Sequence, residues 1–198
     1  MLAKSISELC LLVAEQDDQS AFGELFQVFY PKLLSLAQAI VKSRQIAEEA
    51  VQDVFLHLWK NRKVLPAIKN LQYYLFVAAK HAALDHLEKM KRQSYLALEE
   101  AGIEFGTIEV TPEHVLISAE TMQAILASIN ELPPRCKLIF RLVKEDGLKY
   151  REVADLLQLS VKTVETQMSL ALDKVYRALR SHLPSDTKDQ VVSRKKRF

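Results

Sequence analysis

Apolar residues recur every three or four positions along most of this chain, the period of helices that bury one face. Ser5-Ile6-Ser7-Glu8 has the form of a capping box and opens a short helix through Ala14. The segment Ala21–Val41 is long and aromatic-rich, with Phe22, Leu25, Phe26 and Phe29 as expected core and Pro31 as an expected kink or interruption. A third helix, Arg44–Asn61, puts Ile46, Ala50, Val51, Val54, Phe55 and Leu58 on one side and leaves Glu49, Gln52, Asp53 and His57 outside. After Pro66 a fourth helix runs from about Leu71 to Arg92. Thr111-Pro112-Glu113 is a helix start, with a cap, a proline at the first position and an acid in the first turn; that helix runs to about Asn130. Leu132-Pro133-Pro134 breaks it and begins another with Leu138, Ile139, Leu142 and Val143 inward, ended by Asp146-Gly147. Alternating strand patterns are absent, so the expected fold is all-α.

The stretch Leu148–Leu183 carries two apolar sets of different length. Val153, Ala154 and Leu157 form the first; Val161, Val164, Met168, Leu172, Val175 and Leu179 form the second. Only Gln158, Leu159 and Ser160 separate them, and Ser160 is a good cap for the second helix. Two amphipathic helices with so short a connection predict a helix-turn-helix, whose second helix can lie in a DNA major groove. With Val164, Met168 and Leu172 inward, the residues Lys162, Thr163, Glu165, Thr166, Gln167, Ser169 and Leu170 face or flank the partner. Glutamate can accept from cytosine N4 and glutamine can pair with adenine, so such a face can read bases as well as phosphates. The turn position that glycine often holds is Gln158, which costs about 1 kcal/mol if it is left-handed.

Charge separates the chain into parts that the total hides. The 198 residues carry a net +2. Residues 1–92 hold 12 basic and 10 acidic side chains, residues 93–134 hold seven glutamates and no lysine or arginine, and residues 135–198 hold 15 basic and 8 acidic ones. A basic C-terminal module fits a polyanionic partner. Residues 93–110 contain Gly102, Gly106 and four glutamates without a clear period, and read as a flexible acidic linker. The expected organisation is therefore two small helical domains, 1–92 and 111–183, joined by the linker 93–110 and followed by a basic, disordered tail 184–198.

The chemistry on offer is binding rather than catalysis. Trp59, Tyr73, Tyr74 and Phe76 are interleaved with Lys60, Arg62, Lys63, Lys69, Lys80, His81, Lys89, Lys91 and Arg92, the mixture of stacking faces and cations that single-stranded nucleic acid needs. His81 and Asp85 lie four apart and read as a surface pair rather than a catalytic dyad. No zinc spacing, phosphate-binding glycine loop or nucleophile motif occurs, so neither an enzyme, a metal nor a cofactor is expected. Cys10 and Cys136 sit on apolar helical stretches and are expected as buried free thiols in a reducing cytoplasm. No apolar run is long enough to cross a bilayer and no signal peptide is seen.

In their order, the segments AFGELFQVFYPKLLSLA, AEEAVQDVFLHLW, YLFVAAKHAALDHL, TPEHVL, LPPRCKLIF and GLKYREVADLLQLSVKTVETQMSLAL resemble the extracytoplasmic-function (ECF) subfamily of bacterial RNA polymerase sigma factors. The resemblance covers roughly residues 21–183. It implies a sigma factor that brings core RNA polymerase to promoter DNA. The helix with Glu49, Gln52 and Asp53 resembles the one that docks on the clamp coiled coil of the polymerase's largest subunit. The loop Lys60–Asn70 and the helix after it resemble the region that opens the −10 element, which makes Trp59, Lys63, Lys69, Tyr73 and Lys80 the candidate contacts there. The helix from Val161 resembles the reader of the −35 element, with Lys162, Thr163, Glu165, Thr166, Gln167 and Ser169 as candidate contacts. Leu170 stands where the family often has arginine, so base contacts do not carry over from relatives. The family commonly has an anti-sigma partner. Two competing readings are a stand-alone dimeric helix-turn-helix regulator that binds duplex operators and a helical adaptor that never touches DNA.

Overall fold

The computed structural model describes residues 4–93 and 119–182, and every regular element among them is helical. The chain divides into two compact units, Met1–Gly106 and Thr107–Phe198. Residues 94–110 of the expected linker, the helix start Thr111-Pro112-Glu113 and the tail 184–198 lie outside the described residues.

In the first unit, α1 (Ile6–Gln16) leads to α2 (Gln19–Val41), α3 (Arg44–Lys60), a 3₁₀ turn at Arg62–Ala67 and α4 (Leu71–Gln93). The capping box forms: Ser5 N–H donates to Glu8 at 2.7 Å and Glu8 N–H donates to Ser5 Oγ at 3.2 Å. α1 ends at Asp17 in the left-handed region, and Asp18 then caps α2 by accepting from the N–H groups of Ser20 and Ala21 at 2.8 and 3.1 Å. Helices α2, α3 and α4 pack against one another, while α1 lies on α2 and the 3₁₀ turn. Leu25, Phe29, Leu33 and Leu36 of α2 are buried, facing a core completed by Val51, Val54, Phe55 and Leu58 of α3 and by Leu75, Phe76, Ala79 and Ala83 of α4.

Several expectations need correction. Pro31 does not interrupt α2, which continues as one helix through it. The missing hydrogen bond and ring clash cost about 3 kcal/mol, but burying each of Leu25, Phe29 and Leu33 returns about 1.5–3 kcal/mol. Gln27, Val28 and Pro31 lie on the exposed side, where the defect disturbs no packing. Phe22 and Phe26 are only half-buried, because their rings form a lateral cluster: Phe26 lies 4.6 Å from both Tyr30 and Phe55, and Phe22 lies 5.0 Å from Trp59. On α3 the buried position is Ala47, with Ile46 half-exposed. The segment between α3 and α4 is a 3₁₀ turn around buried Leu65.

The second unit consists, among the described residues, of α5 (Ala119–Asn130), α6 (Pro134–Lys144), α7 (Tyr150–Leu157) and α8 (Val161–His182). α8 packs on each of the other three. The polypeptide leaves α6 through Gly147 at φ 69°, which glycine adopts without penalty, and Leu148 N–H closes on the Leu142 carbonyl at 2.9 Å. The inward set of α6 is Cys136, Ile139, Phe140 and Leu142; Leu138 and Val143 are half-buried. Leu156 rather than Leu157 completes the buried set of α7. On α8 the fully buried residues are Val164, Met168 and Ala171, a spacing of four and three; Val161 is exposed and Leu172, Val175 and Leu179 are half-buried. Lys137, though basic, is buried, with its ammonium 2.8 Å from Asn130 Oδ1 at the end of α5. Burial, then neighbouring Arg141, depresses its pKa. It serves the fold and not the basic surface.

Candidate nucleic-acid and polymerase interfaces

Helices α7 and α8 are joined by the three residues that the pattern isolates. Gln158 takes φ 55°, ψ 50°, and its left-handed backbone lets Leu159 N–H reach the Ala154 carbonyl at 2.8 Å, a six-to-one helix stop. The side chain softens the penalty by donating from Nε2 to the Asp155 carbonyl at 2.9 Å. Ser160 caps α8 as expected: Thr163 N–H donates to its Oγ at 3.0 Å, and the two hydroxyls lie 2.8 Å apart. Glu152 closes the start of α7 by accepting from Lys149 N–H at 2.8 Å.

This turn aims one side of α8 outward. Lys162, Glu165, Thr166, Ser169 and Leu170 are exposed, while Thr163 and Gln167 are partly so. Lys162 and Glu165 form an ion pair at 3.4 Å, and Thr166 Oγ1 donates to the Lys162 carbonyl at 2.9 Å. The Gln167 carbonyl accepts from Cys136 Sγ at 3.3 Å, which ties the back of α8 to α6. Cys136 and Cys10 are buried and free, and burial pushes both thiols up. The face is polar from Lys162 to Ser169, exposed Leu170 follows, and buried Val164, Met168 and Ala171 hold the helix from behind.

In the first unit the candidate contacts fall into two groups. Glu49, Gln52 and Asp53 lie on the outward side of α3, with Leu56, itself 57% exposed, on the following turn. Gln45 Nε2 donates to Glu49 at 3.3 Å. Asp53 accepts from His86 of α4, Nε2 to Oδ2 at 2.8 Å, and Glu49 lies 3.8 Å from the other ring nitrogen. His86 is absent from the expected site residues; its partners stand more than thirty positions away, so spacing along one helix carries no signal of the contact.

The basic and aromatic group runs from the end of α3 through the 3₁₀ turn and into α4. Lys63 and Lys69 are exposed, Tyr73 and Lys80 half-exposed, and Tyr74 exposed. Phe76 belongs to the core. Trp59 is half-buried: Phe22 packs against it edgewise and the Arg62 guanidinium lies over its ring, 4.8 Å from the centroid. Arg62 in turn donates to the Trp59 carbonyl at 3.1 Å and pairs with Asp17 at the end of α1. Asn70 opens α4 by accepting from Tyr73 N–H at 3.0 Å. Among the described residues no group of three or more His, Cys, Asp or Glu could hold a metal ion. No helix among them is long and apolar enough to cross a membrane.

A helical platform with an acidic α3 face, followed by a second helical unit ending in a helix-turn-helix, is the arrangement of a sigma factor. The family models and relatives that match the chain bear this out. The family model described as Sigma-70 region 2 matches residues 25–93, and that described as Sigma-70, region 4 matches residues 122–175, together more than half of the chain. The chain is 25% identical over 187 residues to the ECF RNA polymerase sigma factor SigW of Bacillus subtilis, covering 91% of this chain and 97% of that protein. It is 25% identical over 168 residues to the ECF RNA polymerase sigma-E factor of Escherichia coli, covering 81% and 87%. The solved structure of CnrH in complex with the cytosolic domain of CnrY superimposes with a TM-score of 0.47 at 18% identity, covering 91% of this chain and 100% of that one. The protein belongs to the ECF subfamily of RNA polymerase sigma factors. It directs RNA polymerase to promoters.

Proposed function

We propose that the two units divide promoter recognition between them. The first docks on core polymerase and handles the −10 strand, and the second reads the −35 duplex. The observation that carries the reading is the outward face of α8, polar from Lys162 to Ser169 and delivered by a capped three-residue turn. Lys162, Thr163, Glu165, Thr166, Gln167 and Ser169 make the −35 contacts, with Lys162 on phosphate and Glu165 and Gln167 on base edges. Lys63, Lys69, Tyr73 and Lys80 line the path of the −10 strand. Trp59 joins them through Arg62, which must leave the indole before a base can stack there. Glu49, Gln52 and Asp53 meet the polymerase. The protein is a binding factor without catalytic chemistry of its own and works in the cytoplasm, where polymerase and DNA are; an anti-sigma factor is a further partner implied by its family.

Reconstituted transcription tests the reading. Core polymerase with the full chain should initiate from a cognate promoter, and Asp53→Lys should weaken core binding more than about tenfold by setting like charges together. Because Asp53 is exposed, the change should cost the fold only about 0.5 kcal/mol. A dimer that binds palindromic duplex without polymerase would instead support a self-sufficient regulator.

A further inference from the structure

The face that α3 offers is not made by α3 alone. The His86 ring comes from α4 and lies between two carboxylates, Nε2 2.8 Å from Asp53 Oδ2 and Nδ1 3.8 Å from Glu49 Oε2. Its side chain is 18% exposed, whereas those of Asp53 and Glu49 are 58% and 51% exposed. The imidazole thus stands behind the carboxylates and leaves them open to a partner. At 2.8 Å a neutral ring donates to Asp53; 3.8 Å is too long for a hydrogen bond to Glu49. A protonated ring has two N–H donors and a charge, and attracts both. The other charged and titratable groups along this groove are His57 of α3 and Tyr74, His81, Asp85 and Lys89 of α4; α2 lines none of it. The nearby Arg44 closes on Glu48 at 2.8 Å.

We propose that His86 is a positioning residue for polymerase docking, which orients the Asp53 carboxylate toward a cationic patch on the polymerase. This rests on the docking role given to α3 above. The ring holds Asp53 by one hydrogen bond from the less exposed side, so less side-chain freedom is lost when the carboxylate meets its partner.

The test measures affinity of the full chain for core polymerase. His86→Ala should bind about three- to fivefold more weakly than wild type, the worth of one surface partner. His86→Gln keeps a donor for Asp53 and should bind within about twofold of wild type. In an Asp53→Ala background, His86→Ala should cause no further loss, since no carboxylate remains to be oriented. Thermal melts check that each variant is folded. Wild-type affinity of His86→Ala, or a loss that persists in full in the Asp53→Ala background, overturns the proposal. Wild-type affinity of Asp53→Lys would instead remove the docking role, and this inference with it.

Discussion

Glu165→Ala should make the recognition helix bind DNA less selectively and off-target DNA more tightly. The Glu165 carboxylate lies 3.4 Å from Lys162 Nζ, and the side chains are 47% and 84% exposed. A pair so open to water is worth about 0.2–1 kcal/mol. A good direct base contact discriminates by about 1–3 kcal/mol. The base contact outweighs the pair, so under the proposed reading Glu165 should leave Lys162 for a cytosine N4 on its promoter while Lys162 turns to a phosphate. Loss of the carboxylate should therefore reduce discrimination at one base pair by a factor of about 5–150. It should also strengthen binding to unrelated sequence by up to about fivefold, because Lys162 no longer has to be withdrawn from a partner. The assay is binding of the sigma–core complex to promoter fragments carrying every base at each −35 position, repeated across a salt series. Lys162→Ala is the internal contrast: it should weaken all sequences alike and flatten the slope of log K against log salt by about 0.9, one phosphate contact. Unaltered base preferences in Glu165→Ala, together with an unaltered salt slope in Lys162→Ala, would refute the assignment of this face.

Two further predictions concern the first unit. Pro31→Ala should stabilise it by about 1–3 kcal/mol, since a backbone donor returns to α2 on its exposed side and only part of the gain is lost to a freer unfolded chain; a denaturant midpoint at or below that of wild type would contradict this. Asp17 is held below the usual carboxylate range chiefly by the hydrogen bond from Arg62, aided by the charges of Arg62 and Lys63. A depressed folded-state pKa gives stability that is present above the unfolded value and lost as pH falls through the folded one. Melting temperature should therefore drop more steeply on acidification in wild type than in Asp17→Asn, which tolerates the same left-handed backbone.

The helices of this protein are legible because its apolar period is regular, and the turn Gln158-Leu159-Ser160 because a good cap stands between two apolar sets. Glu49, Gln52 and Asp53 fall on the outward side for the same reason. What stays hidden depends on other segments. Leu156 and Leu157 are both leucine, and only the direction from which α8 approaches decides which is buried. Pro31 reads as a break because propensity is local, whereas the leucines and phenylalanine that hold α2 together gain their stabilisation from α3 and α4. Trp59 reads as a stacking platform, and its ring is in use by Phe22 and Arg62. His86 has no visible role until α4 is laid beside α3.

These last two cases share a physical form with the recognition helix. Groups proposed for binding already hold one another: Lys162 with Glu165, the hydroxyl of Thr163 with Ser160, Asp53 with His86, Arg62 with Trp59 and Asp17. The Lys162–Glu165 pair is open to water, which screens it, and exchange there costs about 1 kcal/mol or less. Binding therefore trades a weak intramolecular partner for a desolvated intermolecular one, and the net gain per residue is smaller than the contacts in the complex alone would suggest. The trade also filters partners. A phosphate alone can satisfy Lys162 but leaves Glu165 facing like charge, so nonspecific DNA meets a penalty that a cytosine in the right place removes. On α3 the pairing differs: His86 is proposed to hold Asp53 from behind and to stay in place when the carboxylate meets a cation. On the proposed contacts, selectivity of the α8 face arises from what its side chains lose on leaving each other as much as from what they meet.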